Sequence, residues 1–228
     1  KDNGDQLQAL TANAVYLRSN VGAPWGAFAV TLYDGQIMDA VFGAGNWQDL
    51  RYETVNVNDL LTGSCKFIWM EGGDNNADEL EAFLTANITA IENWVASGGR
   101  LFINAAPNEG DGMSYGFGGV TLNYSGDLYS AATASNTAHP IFNNPSYTTG
   151  TNWTGNYFAH GYITGGTPVI EYTYDAGKVF LSEKNWGVGK VMFSSQTMVY
   201  WQSPKPQTVE LRKSIIDYLG QILPVAEW

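Results

Sequence analysis

The sequence predicts an α/β domain built on a largely parallel sheet, and three observations carry that reading. Phe67–Met70 is a short apolar run ending in Glu71-Gly72-Gly73. Leu101–Ile103 is a second such run, ending in Asn104 and small residues. Between them Leu80, Phe83, Leu84, Ile88, Ile91, Trp94 and Val95 recur at helical spacing. Strand, helix and strand in so short a span make a βαβ unit, whose crossover requires parallel strands. Ligands in open α/β sheets lie beyond the carboxyl ends of the strands. That rule makes Glu71, Asp74, Asn75, Asn104, Asn108, Glu109 and Asp111 the candidate binding residues.

The flanking elements follow in order. Ala14–Leu17 reads as the first strand, and residues 26–40 lean to helix. YETVNV at 52–57 alternates and reads as the second strand. Asp74, Asn75 or Asn76 can cap a helix over 77–97, whose early acids Asp78, Glu79 and Glu81 suit its dipole. Gly98-Gly99 ends that helix. Residues 113–177 lose helical periodicity and fill with Gly, Asn, Thr, Ser and Tyr. They fit either antiparallel strands that extend the sheet or long loops over the site. KVFLSEKNWGVGKVMFSS, starting at Lys178, reads as two strands joined by a turn. Residues 209–223 form a last helix with Leu211, Ile215, Ile216 and Leu219 on one face.

Composition excludes several functions. Eleven basic against 22 acidic residues give a net charge of −11. Nucleic acid is excluded as a partner, because phosphate binding needs a basic footprint. No stretch approaches the ~20 apolar residues of a membrane span, so no insertion is expected. Cys65 is the single cysteine, which excludes an intrachain disulfide. The composition and the Lys1-Asp2 start fit a secreted or surface-exposed bacterial module of a longer chain. One domain over 1–223 is expected, with an insertion at 113–177 and a linker stub at 224–228.

The segment Trp94-Val95-Ala96-Ser97-Gly98-Gly99, then Arg100–Ile103, then Asn104-Ala105-Ala106, resembles the ThuA-like branch of the class I glutamine-amidotransferase-like superfamily. His139-Pro140, the strand Gly189–Phe193, Trp201 and the last helix match it in order. The resemblance implies a flavodoxin-like three-layer sandwich: a mostly parallel sheet, helices on both faces and a strand-rich insertion. It implies a degenerate site, because no Gly-flanked Cys is present, Asn104 stands where the family has His, and the late His is replaced within Ser194–Thr197. The family's link to sugar metabolism implies a carbohydrate ligand.

The residues themselves point to binding. A nucleophile needs a base, and only His139 and His160 titrate near neutrality. A Ser195/His160/Glu183 triad can be written, but no spacing requires it. Glu71, Glu109 and Asp111 could pair for glycoside hydrolysis. Glu109 and Asp111 offer hard oxygen ligands suited to Ca²⁺, although the spacing matches no EF-hand. Two His and one Cys exclude a zinc site of ordinary composition. Trp25, Trp47, Trp153, Trp186 and Trp201 fall in loops or turns, where flat rings beside amides bind sugars. Trp153, His160 and Trp186 therefore join the candidate ligand-binding residues. The expected function is a non-catalytic, carbohydrate-binding module. A hydrolase of glycans or peptides and a structural spacer are the alternatives.

Overall fold

A computed structural model describes residues 12–21, 33–108 and 110–221. The βαβ unit forms as its sequence pattern requires. β3 (Phe67–Glu71) and β4 (Arg100–Asn104) are adjacent and parallel, joined by α3 (Ala77–Ala96). β1 (Ala14–Arg18) pairs with β3, and β2 (Trp47–Arg51) flanks β1, both parallel. On the other side β10 (Gly189–Ser194) runs parallel to β4. α1 (Asp34–Phe42), α2 (Val57–Thr62) and α4 (Gln207–Gly220) complete the helices. The expected strand at 52–57 is a turn leading into α2. Its β-rich residues were overridden by Asn56, whose side chain accepts from the amides of Asn58 and Asp59. Only part of the expected 26–40 helix, and none of the 224–228 stub, falls within the described residues.

The mostly parallel, flavodoxin-like, ThuA-like architecture does not hold. The described residues form an eleven-stranded mixed sheet, and only β2, β1, β3, β4 and β10 run parallel. β9 (Asp175–Trp186) folds back antiparallel on β10. β8 (Thr167–Tyr172), β6 (Val120–Ala134), β7 (Asn152–Thr164) and β11 (Gln202–Ser203) continue antiparallel, with β5 (Met113–Gly116) on β6. Of the two readings of 113–177, the strands win. Antiparallel neighbours need only turns between them, so a Gly- and Asn-rich stretch without helices can lengthen a sheet.

Period-two alternation divides the core. Val15, Leu17, Ile68, Met70, Leu101, Ile103, Val191 and Phe193 face α3 and the β5–β6 hairpin. Tyr16, Phe67, Trp69, Phe102 and Met192 face α1 and α4. Gly99 ends α3 where a Cβ would lie 2.5 Å from the Trp94 ring, so only glycine lets the chain turn so tightly into β4.

Candidate functional site

The strand ends do converge, and the register explains how. Trp69 and Glu71 lie two apart on β3 and share a face, so the Trp69 Nε1–H donates to Glu71 Oε2 at 3.0 Å. Asn104 is directly opposite Glu71 on β4, and its Nδ2 donates to both carboxylate oxygens at 3.0 and 3.1 Å. The Gly73 amide donates to Glu71 Oε1 at 2.7 Å. On the next strand Tyr16 sits in register with Trp69, and its hydroxyl donates to Asp34 Oδ2 at 3.0 Å. From α4 the Arg212 guanidinium lies 5.5 Å from the ring centroids of both Trp69 and Phe102. Its Nη2 donates to the Thr197 carbonyl at 3.2 Å.

This cluster is interior. Glu71 is 2% exposed, and Asp34 and Arg212 are equally buried. Burial, reinforced by Asp34, pushes Glu71 up to about 8 despite the pull of Arg212 and the donors around it. Burial likewise raises Asp34 to about 6. Burial lowers Arg212, but a guanidinium stays charged at neutral pH. One cation thus faces two acids that desolvation keeps from ionising together. Among the described residues the crevice holds only about 200 Å³ and has no room for a water molecule. Asn104 Oδ1, Gln196 Nε2 and Arg212 Nε find no hydrogen-bond partner among the described residues.

The other predicted site residues scatter. Asp74 follows β3 with φ +54° and bridges to Pro107, while exposed Asn108 reaches its carboxylate at 3.5 Å. Asp111 is exposed, and Glu109 lies outside the described residues. The described residues hold no group of three or more His, Cys, Asp or Glu placed for a metal. His160 is buried on β7, its Nδ1 2.8 Å from the Pro107 carbonyl oxygen. It does not complete the written triad: Glu183 instead pairs with Lys190 at 2.9 Å and lies 3.4 Å from His139. Burial alone would raise Glu183, but these partners hold it at about 2. Cys65 is buried, and burial pushes its thiol up to about 12, which leaves it inert.

The tryptophans are corrected individually. Trp153 is 1% exposed and donates to the Thr149 carbonyl, so it is core. Trp186 packs edge-on against Phe117 at the amino ends of the parallel strands, away from Glu71. Trp201 lines a different feature, an open groove of about 850 Å³ in the antiparallel half. Tyr33, Tyr174 and Tyr200 line it with Trp201. Tyr174 is 76% and Tyr200 61% exposed. Thr154, Asn156 and Ser203, all exposed, add hydroxyl and amide groups. Register builds the groove: Ser203 of β11 faces Thr154 of β7, which faces Ala131 of β6. Gly155 permits this close approach, since a Cβ would lie 2.3 Å from the Trp201 carbonyl oxygen.

Pattern reasoning missed Asp34, Tyr16, Arg212 and the tyrosines. Arg212 carried a signal: 212, 215, 216 and 219 form one helical stripe, with a cation inside its apolar face. The tyrosines carried none, because the groove joins segments distant in the chain.

No family model and no curated protein matches the chain. Solved structures do. A β-galactosidase from Bacillus circulans sp. alkalophilus is 12% identical with a TM-score of 0.49, the match covering 90% of this chain and 30% of that one. An exo-β-1,4-mannosidase from Opitutaceae bacterium strain TAV5 is 14% identical at 0.49, covering 92% and 36%. A cytoplasmic protein from Salmonella typhimurium is 10% identical at 0.49, covering 91% and 99%. The chain spans about a third of the length of the two glycosidases it resembles.

Proposed function

We propose that this chain is a saccharide-binding module and that the aromatic groove on its antiparallel half is the site. One observation carries the reading: Tyr174 and Tyr200 hold ring faces in solvent beside free hydroxyl and amide groups, in a groove large enough for several sugar rings. Sugar rings have apolar C–H faces that pack on aromatic rings, and hydroxyls that bond to amides and hydroxyls. Sites of this kind combine apolar walls with a few placed polar groups.

The strand-end cluster supports this division. Glu71 and Asp34 are enclosed, and the groove's lining includes neither. A glycosidase needs two carboxyls flanking an accessible glycosidic bond. A hydrolytic reading has one observation in its favour: Glu71 and Asp34 titrate near neutrality, as acid–base pairs do. Both readings are tested together by calorimetric titration with soluble glucan and mannan oligosaccharides, in parallel with a reducing-end assay. Binding should be measurable, weaken about tenfold in Tyr200→Ala, and persist in Glu71→Gln. Absence of binding to every glycan overturns the proposal. Release of reducing ends that is lost in Glu71→Gln establishes the hydrolase instead.

A further inference from the structure

From the charges around the groove we infer that it selects neutral saccharides and rejects anionic ones, an inference that rests on the saccharide reading. Lys205 is the one charged residue in the described lining. Its ammonium is already engaged: the Nζ donates to the carbonyls of Val199 and Gln202, and reaches that of Tyr200 at 3.5 Å. Those carbonyls belong to the turn that presents Tyr200 and Trp201. The ammonium therefore serves as an internal clamp on the aromatic wall, and burial lowers its pKa.

Asp175 adjoins the groove residue Tyr174 in the chain. Asp127 and Asp175 lie near enough to Tyr129, the neighbour of the groove residue Ser130, to help burial raise it to about 12. The whole chain adds a charge of −11. A uronic-acid polymer would meet, among the described lining residues, no cation besides this engaged ammonium, in a field that is repulsive overall. A neutral chain loses nothing to that field, because stacking and hydroxyl bonding do not depend on it.

The test compares galactomannan, polygalacturonate and chitosan by calorimetry at about 50 mM and about 500 mM NaCl. Galactomannan should bind with an affinity that changes less than about twofold with salt, and polygalacturonate at least about tenfold more weakly. Ser203→Lys places a free ammonium in the groove, and should restore polygalacturonate binding in a salt-sensitive way. Polygalacturonate binding wild type as tightly as galactomannan or as chitosan overturns the selectivity while leaving the saccharide reading intact. No gain of polygalacturonate binding in a folded Ser203→Lys variant also overturns it. Failure of all three polymers to bind overturns both readings.

Discussion

In the parallel half of the sheet, polar side chains at the strand ends bond one another: Asn104 to Glu71, Tyr16 to Asp34. In the antiparallel half, Tyr174, Tyr200 and Asn156 turn to solvent. The first arrangement makes a rigid interior from groups that would be reactive if exposed. The second leaves a surface from groups that are inert but adhesive. Topology underlies the contrast. Parallel strands are covered on both faces by their crossover helices, so their ends are readily enclosed. Among the described residues the antiparallel extension carries no crossover helices, and its edge stays open.

The contrast breaks most visibly at Arg212. Arg212→Met removes the buried cation that lowers both Asp34 and Glu71, and leaves whichever of these buried acids is ionised without it. Losing one partner of a buried charge cluster costs about 3–5 kcal/mol. Urea unfolding should show that loss, whereas Tyr200→Ala should stay within about 0.5 kcal/mol of wild type. Equal destabilisation by the two variants would abolish the distinction between the halves.

The pH dependence should carry the same signature. Asp34 and Glu71 have raised folded-state values, about 6 and about 8, so the native state holds protons that the unfolded chain releases. Their contribution is complete below the ordinary carboxylate range and is lost as pH rises through 6 and then 8. Glu183, held at about 2, works the other way and loses its contribution as pH falls from about 4.5 toward 2. Tm should therefore peak near pH 4 to 5 and decline toward pH 8.5. In Glu71→Gln the alkaline decline should flatten. An unchanged slope would show that Glu71 is ionised in the native state throughout.

Much of the parallel half is legible in the chain itself. Apolar runs at 67–70 and 101–103, with the helical stripe between them, dictate adjacent parallel strands. The Glu71–Asn104 pairing then follows from register. The antiparallel half is not legible in this way. Residues 113–177 have strand propensity but no local signal for which strand pairs with which, because that order rests on contacts distant in sequence. Trp153 illustrates the cost. Beside Asn, Thr and Gly it reads as a loop aromatic, yet its position on β7, between β6 and β11, puts it in the core. Trp201, beside Tyr200 and Gln202, lines the groove.

Gly155 gives the finest cut between the two halves. Gly155→Ala drives a Cβ against the Trp201 carbonyl, which must retreat along with the Tyr200–Ser203 segment. β11 is two residues long and sits at the sheet edge, so it can yield without opening the core. Overpacking here should cost about 1–2 kcal/mol at most, less than the Arg212 variant loses. Saccharide affinity should fall by about tenfold or more, since the aromatic wall moves as a unit. A variant with wild-type affinity would show that the position of the Tyr200–Trp201 turn does not matter, and with it that the groove does not bind through that wall.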